Sequence, residues 1–151
     1  MTRGSDLSFC ADMSSIPEHM VNIVASFLDQ ETYEDCRAYL IKNLSLIDRT
    51  IANGLFEDAL YTFVEYPPAF GERMIRCSQI ITYLCDIRQA TNGQQDITLF
   101  FHRILNADPS FRKSFEDHCK MLSEKMQESA KRIKAKQQAQ EKKEQVKKPN
   151  E

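Results

Sequence analysis

Cysteine and histidine are the residue types in this sequence with the greatest capacity for nucleophilic or metal chemistry. There are five cysteines and three histidines. His19, His102 and His118 fall in three different predicted helices, and no two have the i, i+4 spacing of a zinc-binding helix. His118 and Cys119 are neighbours, which places their side chains ~100° apart around a helix and poorly placed to share a proton. We therefore predict no metal site and no catalytic thiol, and we expect the cysteines to be small buried hydrophobic residues.

Acidic pairs and glycine-rich motifs are the other common signatures of catalysis. Glu57 and Asp58, like Glu116 and Asp117, are predicted to lie on the polar faces of amphipathic helices, where solvated surface charge explains them. The sequence has only four glycines and contains no GxxxxGK[ST], GxGxxG or GxSxG motif. It therefore predicts a protein that is not an enzyme and that has no cofactor.

Basic side chains are the best candidates for contacts with a partner, and they form two groups. In the body of the chain these are Arg73, Arg76 and Arg88. The first two are three residues apart and should share a helix face opposite to or beside that of Met74 and Cys77. The second group is a C-terminal cluster: Lys131, Arg132, Lys134, Lys136, Lys142, Lys143, Lys147 and Lys148.

The charge distribution sets this C-terminal cluster apart from the rest of the chain. The formal net charge is −2, but residues 129–151 hold eight Lys or Arg against three Glu, a net of +5, so residues 1–128 carry 12 against 19, a net of −7. A basic tail of this kind could neutralise RNA phosphates, and such binding would depend steeply on salt. The alternative interpretation is a tail that only keeps the protein in solution.

Targeting signals are not evident in the sequence. Residues 1–13 are polar and lack the apolar core of a secretory signal, and no segment approaches the ~18 consecutive apolar residues of a membrane span. The odd number of cysteines, without a CxxC pair, indicates reduced thiols. We predict a cytoplasmic protein without a membrane segment, with the nucleus as the alternative location.

Helices must position all of these residues, because glycine is scarce and the apolar residues recur at helical spacing. We predict a flexible leader at 1–14, one helical domain at 15–128 and a solvent-exposed tail at 129–151, helical or disordered. The first helix should follow a capping box formed by Ser15 and Glu18.

Six helices are predicted in the domain. Pro67 and Pro68 should end one helix and turn the chain sharply into the next, since proline neither donates to the helical ladder nor tolerates a helical predecessor. Asp48 or Asn53, then Asp96, and then Asp108 with Pro109 are the predicted starts of later helices. Within the helix after the prolines, Met74, Cys77, Ile81 and Leu84 form the predicted core face.

This pattern predicts an all-α fold of antiparallel helix pairs, either a HEAT-like right-handed solenoid fragment or a compact bundle. Such surfaces usually bind other proteins. We therefore predict a non-enzymatic scaffold or adaptor with a protein partner, and RNA as a second candidate partner through the tail. The alternatives are a compact helical regulator of cell death or host defence with a hydrophobic groove, and a subunit of a larger complex. The oligomeric state is left open.

The stretch LFEDALYTFVEYPPAFGERMIRCSQIITYLCDI is followed by a polar loop, a short helix and FRKSFEDHCKMLSEKM. This pattern resembles the N-terminal part of the helical-repeat middle domain of the translation initiation factor 4G scaffold family, as found in poly(A)-binding-protein-interacting proteins. The resemblance covers residues 16–128. It implies a scaffold in messenger RNA translation or metabolism that binds a helicase or a poly(A)-binding protein, with RNA alongside. The positions that carry it are Pro68 and Phe70, Leu84 and Cys85, Phe111 and Arg112, and Cys119 and Glu124.

Overall fold

Six α-helices account for most of the structure. The computed structural model describes residues 13–91, 96–107 and 109–147. Short 3-10 turns precede the first and third helices, a π-helical turn at Arg103–Ala107 leads into the last, and no strand occurs within these ranges. The predicted all-α fold is confirmed. The helices are α1 (Val21–Leu28), α2 (Tyr33–Lys42), α3 (Arg49–Glu65), α4 (Pro68–Ala90), α5 (Asp96–His102) and α6 (Pro109–Lys147).

The proline corner forms where the sequence predicts it. Helix α3 ends at Glu65, and α4 begins at Pro68 with Pro67 as its N-cap. Tyr66 between them is extended, as expected for a residue before proline. Of the two predicted caps for α3, Asp48 is used, because its carboxylate accepts a hydrogen bond of 2.7 Å from the backbone N–H of Thr50.

The predicted capping box of the first helix is wrong. A 3-10 turn begins at Glu18, α1 begins at Val21, and neither has a side-chain cap. The backbone N–H of Ser15 instead donates to Asp58 on α3 at 2.8 Å. Asp58 is only 2 % exposed, so its predicted place on a polar face is also wrong. Gly54 permits this approach, since a Cβ there would lie 2.6 Å from the Ser15 carbonyl oxygen.

Helix α4 is the centre of the bundle. It pairs with α3 and also packs against α1, α5 and α6. Its predicted core face is confirmed, because Met74, Cys77, Ile81 and Leu84 are all fully buried.

Aromatic rings join α4, α5 and α6 at one end of this core. Phe100 on α5 lies 6.0 Å from the ring of Tyr83 on α4, and 5.9 and 5.5 Å from Phe111 and Phe115 on α6. The ring of Phe101 is 5.0 Å from Phe100. These edge-on contacts are those that aromatic pairs prefer, so core packing accounts for the phenylalanines.

The bundle is closed, because its first and third helix pairs touch. Helix α2 packs against α5. Tyr33 on α2 donates from its hydroxyl to Glu116 Oε2 on α6 at 2.9 Å, and its ring lies 6.4 Å from that of Phe115. In a solenoid each pair would contact only its neighbours along the chain. Of the two predicted architectures, the structure is therefore the compact bundle.

Helix α6 is much longer than the body that it packs against. Its 39 residues would span about 58 Å. Phe115, Cys119, Ser123 and Ala130 are buried, whereas all side chains from Lys134 to Lys143 are exposed. The C-terminal part of α6 therefore projects away from the core.

Candidate protein-interaction surface

Two adjacent clefts lie where the start of α4 packs against α6. The larger, which we call the α4–α6 groove, has a volume of about 700 Å³. The smaller, the corner pocket, has a volume of about 450 Å³ and lies beside Pro67 and Pro68. Gln127 lines both clefts. The groove is lined from α2 by Tyr33, from α4 by Ala69, Glu72, Arg73 and Arg76, and from α6 by Phe115, Glu116, Cys119, Lys120, Ser123, Glu124 and Gln127.

Tyr33 forms one end of the α4–α6 groove and is held on several sides. Its hydroxyl donates to Glu116, and the guanidinium carbons of Arg76 and Arg112 lie 5.8 and 5.0 Å from the centre of its ring. Burial, and then the hydrogen bond to Glu116, raises the pKa of the Tyr33 hydroxyl well above its ordinary value. Tyr33 therefore remains a hydrogen-bond donor across the physiological pH range.

The structure brings Arg73 and Arg76 together on one wall of the groove. Arg73 Nη1 donates to the carbonyl of Leu28 at 2.9 Å, and Arg76 Nη2 donates to the carbonyl of Glu31 at 3.4 Å. Leu28 is the last residue of α1, where a cation stabilises the negative end of a helix. Arg76 Nε is buried without a hydrogen-bond partner in the part of the chain that the structure describes.

Arg88 lies away from these two arginines. Its guanidinium binds Asp96 Oδ2, with Nε at 3.2 Å and Nη2 at 3.1 Å, and it also donates to the carbonyl of Ile47. It thus joins the end of α4 to the start of α5. The structure gives it a role in packing the bundle, and a partner contact at Arg88 stays a prediction.

Six basic residues of the predicted tail lie on the C-terminal part of α6; of the other two, the side chain of Lys147 and all of Lys148 lie outside the described residues. Lys131 lies 3.9 Å from Glu128, and Arg132 donates to Ser129 at 3.4 Å. Lys131 and Lys134 also line the corner pocket. Six exposed residues form what we call the basic end of α6: Lys131, Arg132, Lys134, Lys136, Lys142 and Lys143. Their role in binding stays a prediction.

The cysteines are buried, as predicted, at the four positions that the structure describes. Burial raises the pKa of Cys36 to about 11 and that of Cys119 to about 12, and it also raises the pKa of Cys77 and Cys85. Thiols that remain protonated are poor nucleophiles and poor metal ligands. Residues 13–91, 96–107 and 109–147 contain no group of three His, Cys, Asp or Glu that could hold a metal ion. Cys10 lies outside the described residues.

The sequence prediction missed Tyr33, Glu116 and Lys120 as members of one site. The sequence pattern places Tyr33 in the apolar stripe of a helix, and it places Glu116 and Lys120 among the surface charges of an amphipathic helix. Tyr33 and Glu116 are 83 residues apart, and no local spacing predicts a contact over that distance.

Among the described helices, none is both long and apolar enough to cross a membrane.

The comparisons with known proteins support a protein-binding role. Residues 7–140 match the family model for the Cdc37 Hsp90 binding domain. A search of curated proteins finds no match. The family is defined by a protein-binding domain, which supports the predicted class of protein-interaction adaptor and gives no support to a role in translation or RNA metabolism.

The resemblance to the initiation factor 4G middle domain is wrong. Its signals, such as the break at Pro68 and the buried pair Leu84 and Cys85, mark helix ends and core positions. Different helical families share such features, since each must end helices at proline and bury one apolar face. The match over most of the chain replaces that resemblance. The chain belongs to the family of the Cdc37 Hsp90 binding domain.

Proposed function

We propose that the protein is a non-catalytic adaptor that binds a chaperone of the Hsp90 class in the cytoplasm. The observation that carries this proposal is the family match over residues 7–140, which includes α1 to α5 and most of α6. The described residues are consistent with it, because their thiols are protonated and they form an open groove between helices. A binding role needs no cofactor and no activated nucleophile.

The proposed contacts come from the two basic groups. The basic end of α6 is exposed and would raise the rate of encounter with an acidic protein surface, since exposed charges steer association more than they hold a complex. Arg73 and Arg76 line the groove and would contact the partner at close range. Arg88 is bound to Asp96, so we expect it to contribute less.

Fluorescence anisotropy tests this division of roles. The full chain, labelled at its N-terminal amine, is titrated with a purified Hsp90-class chaperone at several salt concentrations, with and without nucleotide. We expect saturable binding that weakens as salt rises. Replacing Lys142 and Lys143 by Glu should weaken binding and flatten its salt dependence, whereas Lys113→Glu near the start of α6 should change neither substantially.

A parallel titration with a single-stranded RNA distinguishes the second candidate partner. The exposed positive charge on α6 is the observation that would favour RNA. If RNA binds tightly and binding is lost when the same two lysines are replaced, the basic end of α6 binds nucleic acid rather than the chaperone. Absence of chaperone binding in all nucleotide states would remove the proposed function.

A further inference from the structure

We propose that the α4–α6 groove is a docking site for a peptide segment whose carboxylate side chain binds Arg73 and Arg76. This inference concerns the same two arginines that the proposed function places against the chaperone, but it does not rest on that function, because it describes the chemistry of one groove and its test uses peptides and no chaperone. It stands on the dimensions of the groove, on two arginines that make no ion pair within the described residues, and on the charges around them.

The dimensions of the groove fit a short stretch of polypeptide. Its lining on α6 runs from Phe115 to Gln127, a distance of about 18 Å at the rise of an α-helix. An extended chain covers that distance in about five residues. The buried side chains of Tyr33, Phe115 and Cys119 give the groove an apolar floor for a side chain of that segment.

In the part of the chain that the structure describes, the arginines of the groove lack the carboxylate partners that three other arginines have. Three arginines on α3, α4 and α6 lie against carboxylates at 2.7 to 3.4 Å. Within the described residues, Arg73 and Arg76 each make one hydrogen bond to a backbone carbonyl and no ion pair, although Glu72 and Glu116 line the same groove. A guanidinium group has five N–H donors, so each arginine has further Nη donors that a ligand in the groove can use.

Arginines three residues apart on one helix face can approach the same carboxylate. Lys120 on the opposite wall adds a third cation. The groove thus offers several donors to one acidic side chain.

The acidic residues of the groove favour a carboxylate over a phosphate. Glu116 is already bound by Tyr33 and Arg112, but Glu72 and Glu124 also line the groove. A phosphate group, with close to two negative charges, would be repelled by them more strongly than a carboxylate. They would also attract a basic side chain next to the acidic one in the peptide.

Selection from a random peptide library tests the proposal without an assumed partner. The full chain is presented to phage that display peptides of about ten residues, about twice the length that the groove accommodates. We expect the selected peptides to share an Asp or Glu beside an apolar residue. The best peptide is then synthesised with Glu, with Gln and with phosphoserine at the acidic position, and binding of each is measured by fluorescence anisotropy.

Variants of the groove assign the binding site. Arg76→Gln and Lys120→Glu should each weaken binding of the Glu peptide about tenfold or more, a change that a lost charge-assisted contact can produce. Lys125→Glu is the matched control, because it is an exposed lysine of the same helix that does not line the groove. Lys120 makes no hydrogen bond or ion pair within the described chain, so its variant tests binding apart from folding; unchanged thermal unfolding verifies this.

Each outcome decides the proposal. Preference for Glu over Gln, with losses in both groove variants and none in the control, supports it. Selected peptides that lack an acidic residue, binding that is indifferent to Lys120→Glu, or a failure to select any peptide would overturn it. Tighter binding of the phosphoserine peptide would overturn the choice of a carboxylate.

Discussion

Individual side chains in the core of this protein have roles that the structure makes specific. Leu84 is fully buried on the central helix α4. Replacing it by Ala should lower the free energy of unfolding by about 2–5 kcal/mol, because the lost methyl groups leave a cavity. Chemical denaturation measures the effect. Leu44→Ala, at a position that is 55 % exposed, is the matched control and should be nearly neutral; similar values for both variants would mean that the core is wrongly assigned.

Gly54 is a second residue with a defined role. A helical Gly→Ala change usually stabilises a protein by about 1 kcal/mol. Here the new Cβ would lie 2.6 Å from the Ser15 carbonyl oxygen and 2.9 Å from Ile16 Cδ1. We expect Gly54→Ala to destabilise the fold by about 1–3 kcal/mol, since a backbone segment must move. Asn53→Ala, next to it on the exposed face, should change stability by less than about 0.5 kcal/mol. A stabilised Gly54→Ala protein would refute the close approach.

The buried thiols should make stability fall at alkaline pH. Burial raises their pKa values in the folded protein above the ordinary value of a thiol, to about 11 for Cys36 and about 12 for Cys119. Between pH ~9 and these folded pKa values, the unfolded chain loses thiol protons that the folded chain keeps. The contribution of the thiols to the free energy of unfolding is therefore fully present below pH ~9 and is lost as pH rises above it. The expected slope is about 1 kcal/mol per thiol per pH unit between pH ~9 and ~11.

Urea denaturation at pH 8 and pH 10 measures this slope. The Cys36→Ala variant should show a shallower fall than the wild type, because one titrating group is gone. An equal fall in both proteins would assign the pH dependence to other groups, such as Tyr33, whose pKa is also raised by burial.

At the scale of elements, α6 combines a packed part and an exposed part. Ala130 is buried against the corner pocket, whereas the side chains from Lys134 to Lys143 are exposed. Truncation after Ile133 should change the free energy of unfolding by less than about 0.5 kcal/mol, because little apolar surface is lost. Truncation after Gln127 should cost about 1–2 kcal/mol more. Equal stability of the two truncated proteins would contradict the packing of α6 at the corner.

The elements also show what can be predicted from the sequence. The corner at Pro68 and the cap at Asp48 follow from local chemistry, so the sequence predicts both. The capping box at Ser15 was wrong because contacts with Asp58 and Gly54, about 40 residues away, outweigh a local hydrogen bond.

At the scale of the whole molecule, closure and family were the least predictable properties. The contact that closes the bundle joins Tyr33 to Glu116, and apolar periodicity gives the faces of helices but not which distant faces meet. For the same reason, the groove could be predicted only through Arg73 and Arg76, and not through the residues that face them from α6. The resemblance to another helical family failed because it depended on helix ends and core positions, which such families share.

The central proposal is that this chain is a non-catalytic adaptor that binds an Hsp90-class chaperone. Isothermal titration calorimetry of the full chain with a purified chaperone of that class tests it most directly. We expect saturable heat with a defined stoichiometry. In the Leu84→Ala variant, the amount of chain that binds should fall in proportion to the fraction of the variant that is unfolded. Titrations that release no binding heat at several temperatures, with a folded chain and an active chaperone, would contradict it.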